Sequence, residues 1–172
     1  AYTEDDACHP MTVYGASKLA GERAVFSQLP DAVVLRIAWL YGRGGPSFVH
    51  TMAGLGSIDG EALKVVDDQR GNPTSAESVA DAVEFILAHP EIRGAVHGTC
   101  DGVCSWYGFA SELFRLLGLK RVLVPCTTQQ FPRPAPRPAN SALEKGVLKA
   151  AGFRPKFWKD ALREFVAEEF AR

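Results

Sequence analysis

The chain has 172 residues, a net charge of −1 and 47% hydrophobic residues. These values are typical of a globular protein with one sizeable core, and the balanced charge gives no electrostatic basis for binding nucleic acid or an anionic membrane surface. No apolar run is long enough to cross a bilayer and no signal-peptide pattern opens the sequence, so we expect a cytoplasmic location and no membrane partner.

Helical and extended patterns alternate along the first third of the chain. The run AVVLRIAWLYG (32–42) is apolar and rich in β-branched residues, which predicts a strand buried on both faces in a parallel sheet. Before this strand we expect a polar loop over 1–12, with Thr12 as a helix cap, and then a helix from about Val13 to Gln28 that Pro30 ends. After the strand we expect a glycine-rich loop over 41–46 and a helix over 47–56 that Gly54 and Gly56 end.

The alternation continues towards the carboxyl end, which indicates the α/β class. Residues 75–90 have clear helical periodicity, and their apolar side chains lie mostly on one side: Val79, Val83, Phe85, Ile86 and Leu87. We expect three further strands, over 63–69, 94–100 and 121–126, with a turn over 70–74. Three more helices are predicted over 105–118, where Ser105 is the cap, and over 140–152 and 158–171. The proline-rich segment over 127–140 is predicted to be irregular.

The four cysteines, Cys8, Cys100, Cys104 and Cys126, are too few for a disulfide scaffold in a chain of this length. Three residues separate the two cysteines of the CDGVC stretch, and no second cysteine or histidine pair follows at zinc-site spacing. We therefore expect reduced cysteines and no structural metal site.

No stretch of the sequence has the pattern of a dinucleotide phosphate loop. GLGSIDG (54–60) follows a predicted helix and precedes a predicted strand, which is the wrong order for that loop. YGRGGP (41–46) follows a strand but lacks the full glycine spacing. The sequence therefore predicts no site for cofactor phosphates.

Tyr14 and Lys18, in the stretch TVYGASKLAGER (12–23), stand four apart and so share one face of the predicted helix. An ammonium beside a phenol favours the phenolate, so we expect the pKa of Tyr14 to fall from about 10 towards neutrality. Such a tyrosine can protonate an alkoxide as a hydride reaches the carbonyl carbon. The alternative is an exposed lysine on a helix that buries its tyrosine, and the spacing alone does not decide between the two.

Five segments appear in the order typical of one family: YGASKLAGE, VVLRIAWLYG, VVDDQRGNPT, SWYGFASELF and PCTTQQFPRPAPRPANSAL. The chain resembles the dTDP-4-dehydrorhamnose reductases, which are extended short-chain dehydrogenases/reductases, over almost its whole length. RPANSAL and DQRGNPT are more specific than the Tyr14–Lys18 spacing, which the whole superfamily shares.

The resemblance implies a partial Rossmann-like α/β fold that lacks its N-terminal nucleotide-binding half and carries a small α/β substrate-binding region. Residues 1–43 are then a remnant of the Rossmann domain, consisting of the Tyr14 helix and the following strand. Residues 44–172 are mainly the substrate-binding region, with a helix at about 75–89 and a strand at about 94–100 returning to the Rossmann sheet.

The activity implied by the resemblance is reduction of dTDP-4-dehydro-L-rhamnose to dTDP-L-rhamnose with NADPH or NADH. Tyr14 matches the catalytic acid, which also contacts the cofactor, and Lys18 matches its partner on the cofactor ribose. The family's third catalytic residue, a serine or threonine, and its phosphate loop have no counterpart here. We therefore expect this chain to be inactive without an N-terminal half that supplies them.

The resemblance also implies sugar-nucleotide contacts. Trp39 matches a tryptophan near the nicotinamide and sugar, Gln69 lies in a loop bordering the sugar nucleotide, and Arg137 is the candidate for the diphosphate because a guanidinium can bind two phosphate oxygens. Each has a purely structural alternative: a core aromatic, a tight turn and a solubilising loop charge, respectively. Arg36 is expected in a structural polar contact, and Trp106 as a packing residue.

Other readings of the same resemblance remain open. Sugar-nucleotide epimerases and dehydratases share the Tyr14–Lys18 spacing, although the segments around Phe131 and Arg137 disfavour them. A non-catalytic regulatory subunit like the β subunit of methionine adenosyltransferase, or an inert folded fragment, is also compatible. A homodimer bridged by Mg²⁺ through carboxylates is possible, with no ligands assigned.

Overall fold

The architecture of the computed structural model, which describes residues 1–171, is α/β, as the sequence predicts. The helices are α1 (Val13–Gln28), α2 (Phe48–Gly56), α3 (Ala76–Ala88), α4 (Trp106–Leu117), α5 (Gly146–Ala150) and α6 (Trp158–Glu169). The strands are β1 (Val33–Arg36), β2 (Leu40–Tyr41), β3 (Leu63–Val66), β4 (Arg70–Gly71), β5 (Thr74–Ser75), β6 (Gly94–His97), β7 (Cys104–Ser105) and β8 (Leu123–Cys126). No helix of the described residues is long and apolar enough to cross a membrane.

Hydroxyl side chains set the start of four helices, as expected at N-caps. Each accepts a hydrogen bond from the backbone N–H three residues on, so that one otherwise unpaired donor is satisfied. The capping residues are Thr12, Ser47, Ser75 and Ser105. The cap Thr12 explains why α1 starts at Val13, and both predicted bounds of α1, Val13 and Gln28, are confirmed.

Within residues 1–171, three of the four strand pairs are parallel: β1 with β6, β2 with β5, and β3 with β8. The fourth pair, β4 with β7, is antiparallel. Parallel pairing requires long crossover connections, which here contain helices, and this is the pattern of the α/β class. The division of the chain into a Rossmann remnant and a substrate-binding region stays a prediction.

The single strand predicted over 32–42 is wrong in two respects. The segment forms two strands, β1 and β2, because the chain bends between them at Trp39, whose φ is +49°. The residues of β1 are half-buried rather than buried on both faces. Among the described residues β1 pairs with β6 alone, so its backbone pairing is one-sided.

The helix predicted over 140–152 is also wrong for its first half, because only α5 (Gly146–Ala150) is helical. Asn140 pairs with Arg70, and Leu143 pairs with Tyr2, in isolated parallel bridges. These long-range backbone contacts hold the segment extended against its local helical pattern.

Smaller corrections concern α2, α3 and the turn at 70–74. Gly54 lies inside α2 and does not end it, and the predicted turn contains the short strands β4 and β5. On α3 the buried residues are Ser78 and Ala82, whereas Val83 and Leu87 are exposed.

Two apolar clusters form the core. The larger lies between α2, α4 and α6 and the smaller lies between α3, β6 and α5. Fully buried side chains include Tyr41, Val49, Phe109, Leu113 and Leu162 in the first cluster and Val96 and Leu148 in the second. All four cysteines are free, and Cys100, Cys104 and Cys126 are buried, so the prediction of unpaired thiols is confirmed.

A buried ammonium joins two segments that are distant in the sequence. Lys145 is 2% exposed, and its Nζ lies 3.0 Å from Asp101 Oδ1 and donates to the carbonyls of Cys100 (3.3 Å) and Leu143 (3.1 Å). Burial favours a higher pKa for Asp101, but hydrogen bonds from Lys145 and Lys149 outweigh it and hold that pKa below its ordinary value. The cluster fixes residues 143–145 beside the end of β6.

Replacing Asp101 by Asn should destabilise the fold by about 2 kcal/mol at pH 7, because Lys145 keeps its charge in a buried place and loses its carboxylate partner. The Asp101 pKa is depressed in the folded state, so its contribution is present above the unfolded pKa and is lost as pH falls below about 4. Urea unfolding of Asp101→Asn and wild type across pH 3–7 measures the difference in their free energies of unfolding. The exposed Asp31→Asn variant is the control, and an equal loss in both variants would contradict the role of the Lys145 cluster.

Candidate active site

The loops after β3 and β8 meet through a polar network. Gln69 is buried, and its Nε2 donates to Thr128 Oγ1 over 3.0 Å. Thr128 in turn donates its backbone N–H (2.9 Å) and its hydroxyl (2.7 Å) to the Asp68 carboxylate, and these bonds lower the pKa of Asp68. Ligands of parallel α/β sheets bind beyond the carboxyl ends of strands, which is where this network lies.

Trp39, which packs beside Gly71 two residues after Gln69, has a strained backbone conformation. A non-glycine residue at φ +49° is in the left-handed region, which costs about 1–2 kcal/mol. Its carbonyl accepts a hydrogen bond from the backbone N–H of Thr74 over 3.2 Å, and its indole stacks on that of Trp106 with 3.6 Å between ring centroids and an interplanar angle of 11°. Both indoles are partly buried and pack against the larger core cluster, so a contact of Trp39 with the sugar stays a prediction.

Gly71 leaves the space that the Trp39 indole occupies. A Cβ on Gly71 would lie 2.4 Å from Trp39 Cε2 and 2.8 Å from Ser141 Oγ, closer than real contacts allow. The Ser141 hydroxyl donates to the carbonyl of Arg70 over 3.0 Å. The glycine of the RGNPT stretch is therefore required by packing against Trp39 and Ser141.

Tyr14 and Lys18 lie on the surface of α1, a helix with no buried residue. Tyr14 is 72% exposed, and the Lys18 ammonium lies 5.4 Å from the centre of its ring, over the aromatic face. The alternative in which the helix buries its tyrosine is therefore wrong. Small residues separate the two side chains, so this face of α1 is open to a flat ligand.

An ion pair attaches α1 to β1. Arg36 donates from Nε to Glu22 Oε2 over 2.9 Å and from its terminal nitrogen to Oε1 over 2.5 Å. The hydrogen bonds and charge of Glu22 raise the pKa of Arg36. The prediction that Arg36 makes a structural polar contact is confirmed.

This ion pair also defines the direction of α1. Residues 29–32 connect α1 to β1, and the contact of Glu22 with Arg36 across that connection means that helix and strand run in opposite directions. Tyr14 is eight residues before Glu22, about 12 Å along the helix. It therefore lies beyond the carboxyl end of β1, on the side where Trp39 follows the strand.

Arg137 lies in the exposed segment 131–140, and within the part of the chain that the structure describes its guanidinium has no hydrogen-bond or ion-pair partner. The structure does not bring its side chain into contact with Trp39 or Gln69. The end of the segment is fixed, however, because Arg70 donates its backbone N–H to the carbonyl of Ala139 over 2.8 Å. The Arg137 backbone is thus within about 7 Å of that point.

Sequence reasoning missed two members of this site, Trp106 and Thr128. Trp106 follows a predicted cap and so resembles an ordinary packing residue, and Thr128 lies in a segment without a periodic pattern. Within residues 1–171, no three or more histidine, cysteine or carboxylate side chains cluster as metal ligands.

Comparison with known proteins gives the family. The RmlD substrate binding domain matches residues 1–170. A relative from Streptomyces antibioticus, named as a probable dTDP-4,6-dihydroxy-2-methyloxan-3-one 4-ketoreductase, is 46% identical over 95% of this chain and 56% of its own length.

Two solved structures are also similar. A dTDP-4-dehydrorhamnose reductase from Clostridium acetobutylicum has a TM-score of 0.91 at 43% identity, covering 96% of this chain and 58% of its own. The enzyme of the same name from Bacillus anthracis, in complex with NADP, has a TM-score of 0.90 at 33% identity, covering 97% and 59%. The chain thus spans 56–59% of the length of the three proteins.

Replacing Gly71 by Ala should displace the Trp39 indole and destabilise the protein by about 2 kcal/mol, since the added methyl overpacks this contact. Tryptophan fluorescence reports the displacement of the indole, and urea unfolding measures the loss of stability. Gly21→Ala on α1 is the matched control, because nothing lies within 4 Å of its Cβ position and alanine favours a helix there. Wild-type fluorescence and stability in Gly71→Ala would disprove the contact.

Proposed function

The chain belongs to the RmlD substrate binding domain family, and on this premise we propose that it carries the proton donor and sugar-binding residues of an NAD(P)H-dependent 4-keto sugar-nucleotide reductase. The observation that carries the proposal is the exposed Tyr14 phenol with the Lys18 ammonium over its ring, on the carboxyl side of β1. A large polar aromatic left exposed beside a cation is suited to meeting a ligand.

The chemistry assigned to this face is protonation of a sugar oxygen. NAD(P)H, when bound, supplies the hydride to C4 of the keto sugar. Tyr14 then donates its phenolic proton to the oxygen on C4, while the positive charge of Lys18 stabilises the negative charge left on the phenol. We also assign to Lys18 a hydrogen bond to a ribose hydroxyl of the cofactor, and the small residues Gly15, Ala16 and Ser17 leave this face of the helix open.

We assign the substrate contacts to Trp39, Gln69 and Arg137. The half-buried Trp39 indole offers an apolar surface to a sugar ring, and it packs beside Gly71, two residues after the Gln69 that is bound to Thr128. The free guanidinium of Arg137 is suited to the diphosphate of dTDP. The proposed reaction is reduction of dTDP-4-dehydro-L-rhamnose to dTDP-L-rhamnose, with another C4-keto sugar of dTDP as the second candidate because of the Streptomyces antibioticus relative.

Three earlier expectations stay predictions: supply of the cofactor's phosphate loop by a further half of the enzyme, a homodimer, and a role for Mg²⁺. The first is supported by the share of the three similar proteins that the chain spans. Use of NADPH or NADH is supported by the NADP bound to the Bacillus anthracis enzyme.

Replacing Tyr14 by Phe should lower kcat for dTDP-4-dehydro-L-rhamnose by roughly 10²- to 10⁴-fold, with KM little changed, because only the proton donor is removed. The assay follows NADPH oxidation in the protein as its gene encodes it. Tyr2→Phe is the control, since Tyr2 is also exposed and its main chain, not its hydroxyl, makes the contacts. Wild-type turnover in Tyr14→Phe would remove Tyr14 from the mechanism.

Replacing Arg137 by Ala should weaken dTDP binding by roughly 10- to 100-fold, the loss expected for charge-assisted hydrogen bonds to phosphate. Isothermal titration with dTDP measures the effect. Arg133→Ala is the matched control, because Arg133 lies in the same segment and packs over the Phe131 ring, 4.6 Å from its centre. Equal weakening in both variants would mean that loop charge, rather than a specific guanidinium, attracts the diphosphate.

A further inference from the structure

We propose that Trp106 is a positioning residue that holds the Trp39 indole in place for packing against the sugar of a bound dTDP-sugar. The inference rests on the proposed function for the contact of Trp39 with the sugar. It goes beyond that function in assigning a role to Trp106, which contacts Trp39 rather than the reacting atoms.

The backbone at Trp39 does not hold this geometry by itself. A left-handed φ is unfavourable for a bulky residue and persists only where the surroundings enforce it. One enforcing contact is on the backbone, where Thr74 donates to the Trp39 carbonyl. The other is on the side chain, where the Trp106 indole covers one face of the Trp39 indole at 3.6 Å and 11°.

Trp106 is itself supported by a series of aromatic contacts that begins in the core. The Phe109 ring is fully buried and stacks with Phe48 at 5.5 Å and 16°. Phe48 packs against Trp106 with 4.6 Å between ring centroids. A continuous series of ring contacts therefore extends from the core to the half-buried Trp39.

The N-terminus of α4 fixes the backbone of Trp106. Ser105 caps that helix by accepting the backbone N–H of Gly108 over 3.0 Å, and its hydroxyl donates to the carboxylate of Asp67. Asp67 begins the loop that contains Gln69. The same hydrogen bonds thus fix Trp106 and the loop that borders the proposed sugar site.

Backbone strain distinguishes this stack from ordinary core packing. Trp39 and Trp106 both pack against the larger core cluster, and both keep part of their surface accessible to solvent. A left-handed φ at a bulky residue that keeps accessible aromatic surface is typical of a ligand site.

Circular dichroism tests the stack independently of activity. Stacked indoles couple excitonically and give a pair of bands of opposite sign. This chain has three tryptophans, so Trp158 is its third indole, and the close aromatic contacts of Trp158 are with phenylalanines. We expect the paired bands in wild type and in the control Trp158→Phe, and their loss in Trp106→Leu and Trp106→Phe. Their persistence in Trp106→Leu would overturn the proposal.

Ligand affinity tests the positioning role in the protein as its gene encodes it, at a temperature below the melting transition of every variant. We expect Trp106→Leu to weaken binding of dTDP-L-rhamnose by about 3- to 10-fold and to leave binding of dTDP unchanged, because only the sugar contact depends on Trp39. Trp106→Phe, which keeps an aromatic ring, should recover part of the loss and also serves if the leucine variant does not fold.

Two results would contradict the inference in different ways. Wild-type affinity of Trp106→Leu for dTDP-L-rhamnose would show that the stack is structural only and would leave the proposed function intact. Failure of the wild type itself to bind dTDP-L-rhamnose more tightly than dTDP would overturn the sugar contact of Trp39, and the role of Trp106 with it.

Discussion

The arrangement of the candidate site depends on one buried charge. An ammonium that is 2% exposed must have acceptors, and Lys145 finds them in the Asp101 carboxylate and in two backbone carbonyls. These contacts of Lys145 fix residues 143–145 beside Asp101, at the end of the extended segment 140–145. The extended segment then pairs with Tyr2 ahead of α1 and with Arg70 beside the Gln69 loop, so both parts of the site are attached to it.

Different interactions hold the two parts of the site, α1 with Tyr14 and the region around Trp39. α1 buries no side chain and is attached by the ion pair of Glu22 with Arg36, whereas Trp39 is fixed by aromatic packing that reaches the core. Few apolar contacts favour low local stability, so we expect α1 to open more readily than the helices of the two core clusters. The proposed proton donor is thus on the more adaptable part, and the proposed sugar platform is on the more rigid one.

Local rules predicted much of the fold because they act over a few residues. The caps Thr12, Ser75 and Ser105 set helix starts, and short apolar runs set β3 and β8. The same rules failed at 140–145, where pairing with residues about 70 and 140 positions away overrides helix propensity. They also failed at Trp39, where a strand-forming run is interrupted by a contact with a residue 67 positions on.

The sequence by itself determined the α/β class, the extent of α1 and the spacing that puts Tyr14 and Lys18 on one helix face, and its motifs pointed to the family. Tertiary structure alone decided that this face is exposed, that Gln69 is bound to Thr128, that Gly71 makes room for the Trp39 indole, and that Trp106 supports that indole. The physical reason is the distance along the sequence over which each interaction acts. Capping and periodicity depend on neighbours within one or two turns, whereas stacking, steric exclusion and buried-charge pairing join residues whose separation leaves no pattern in the sequence.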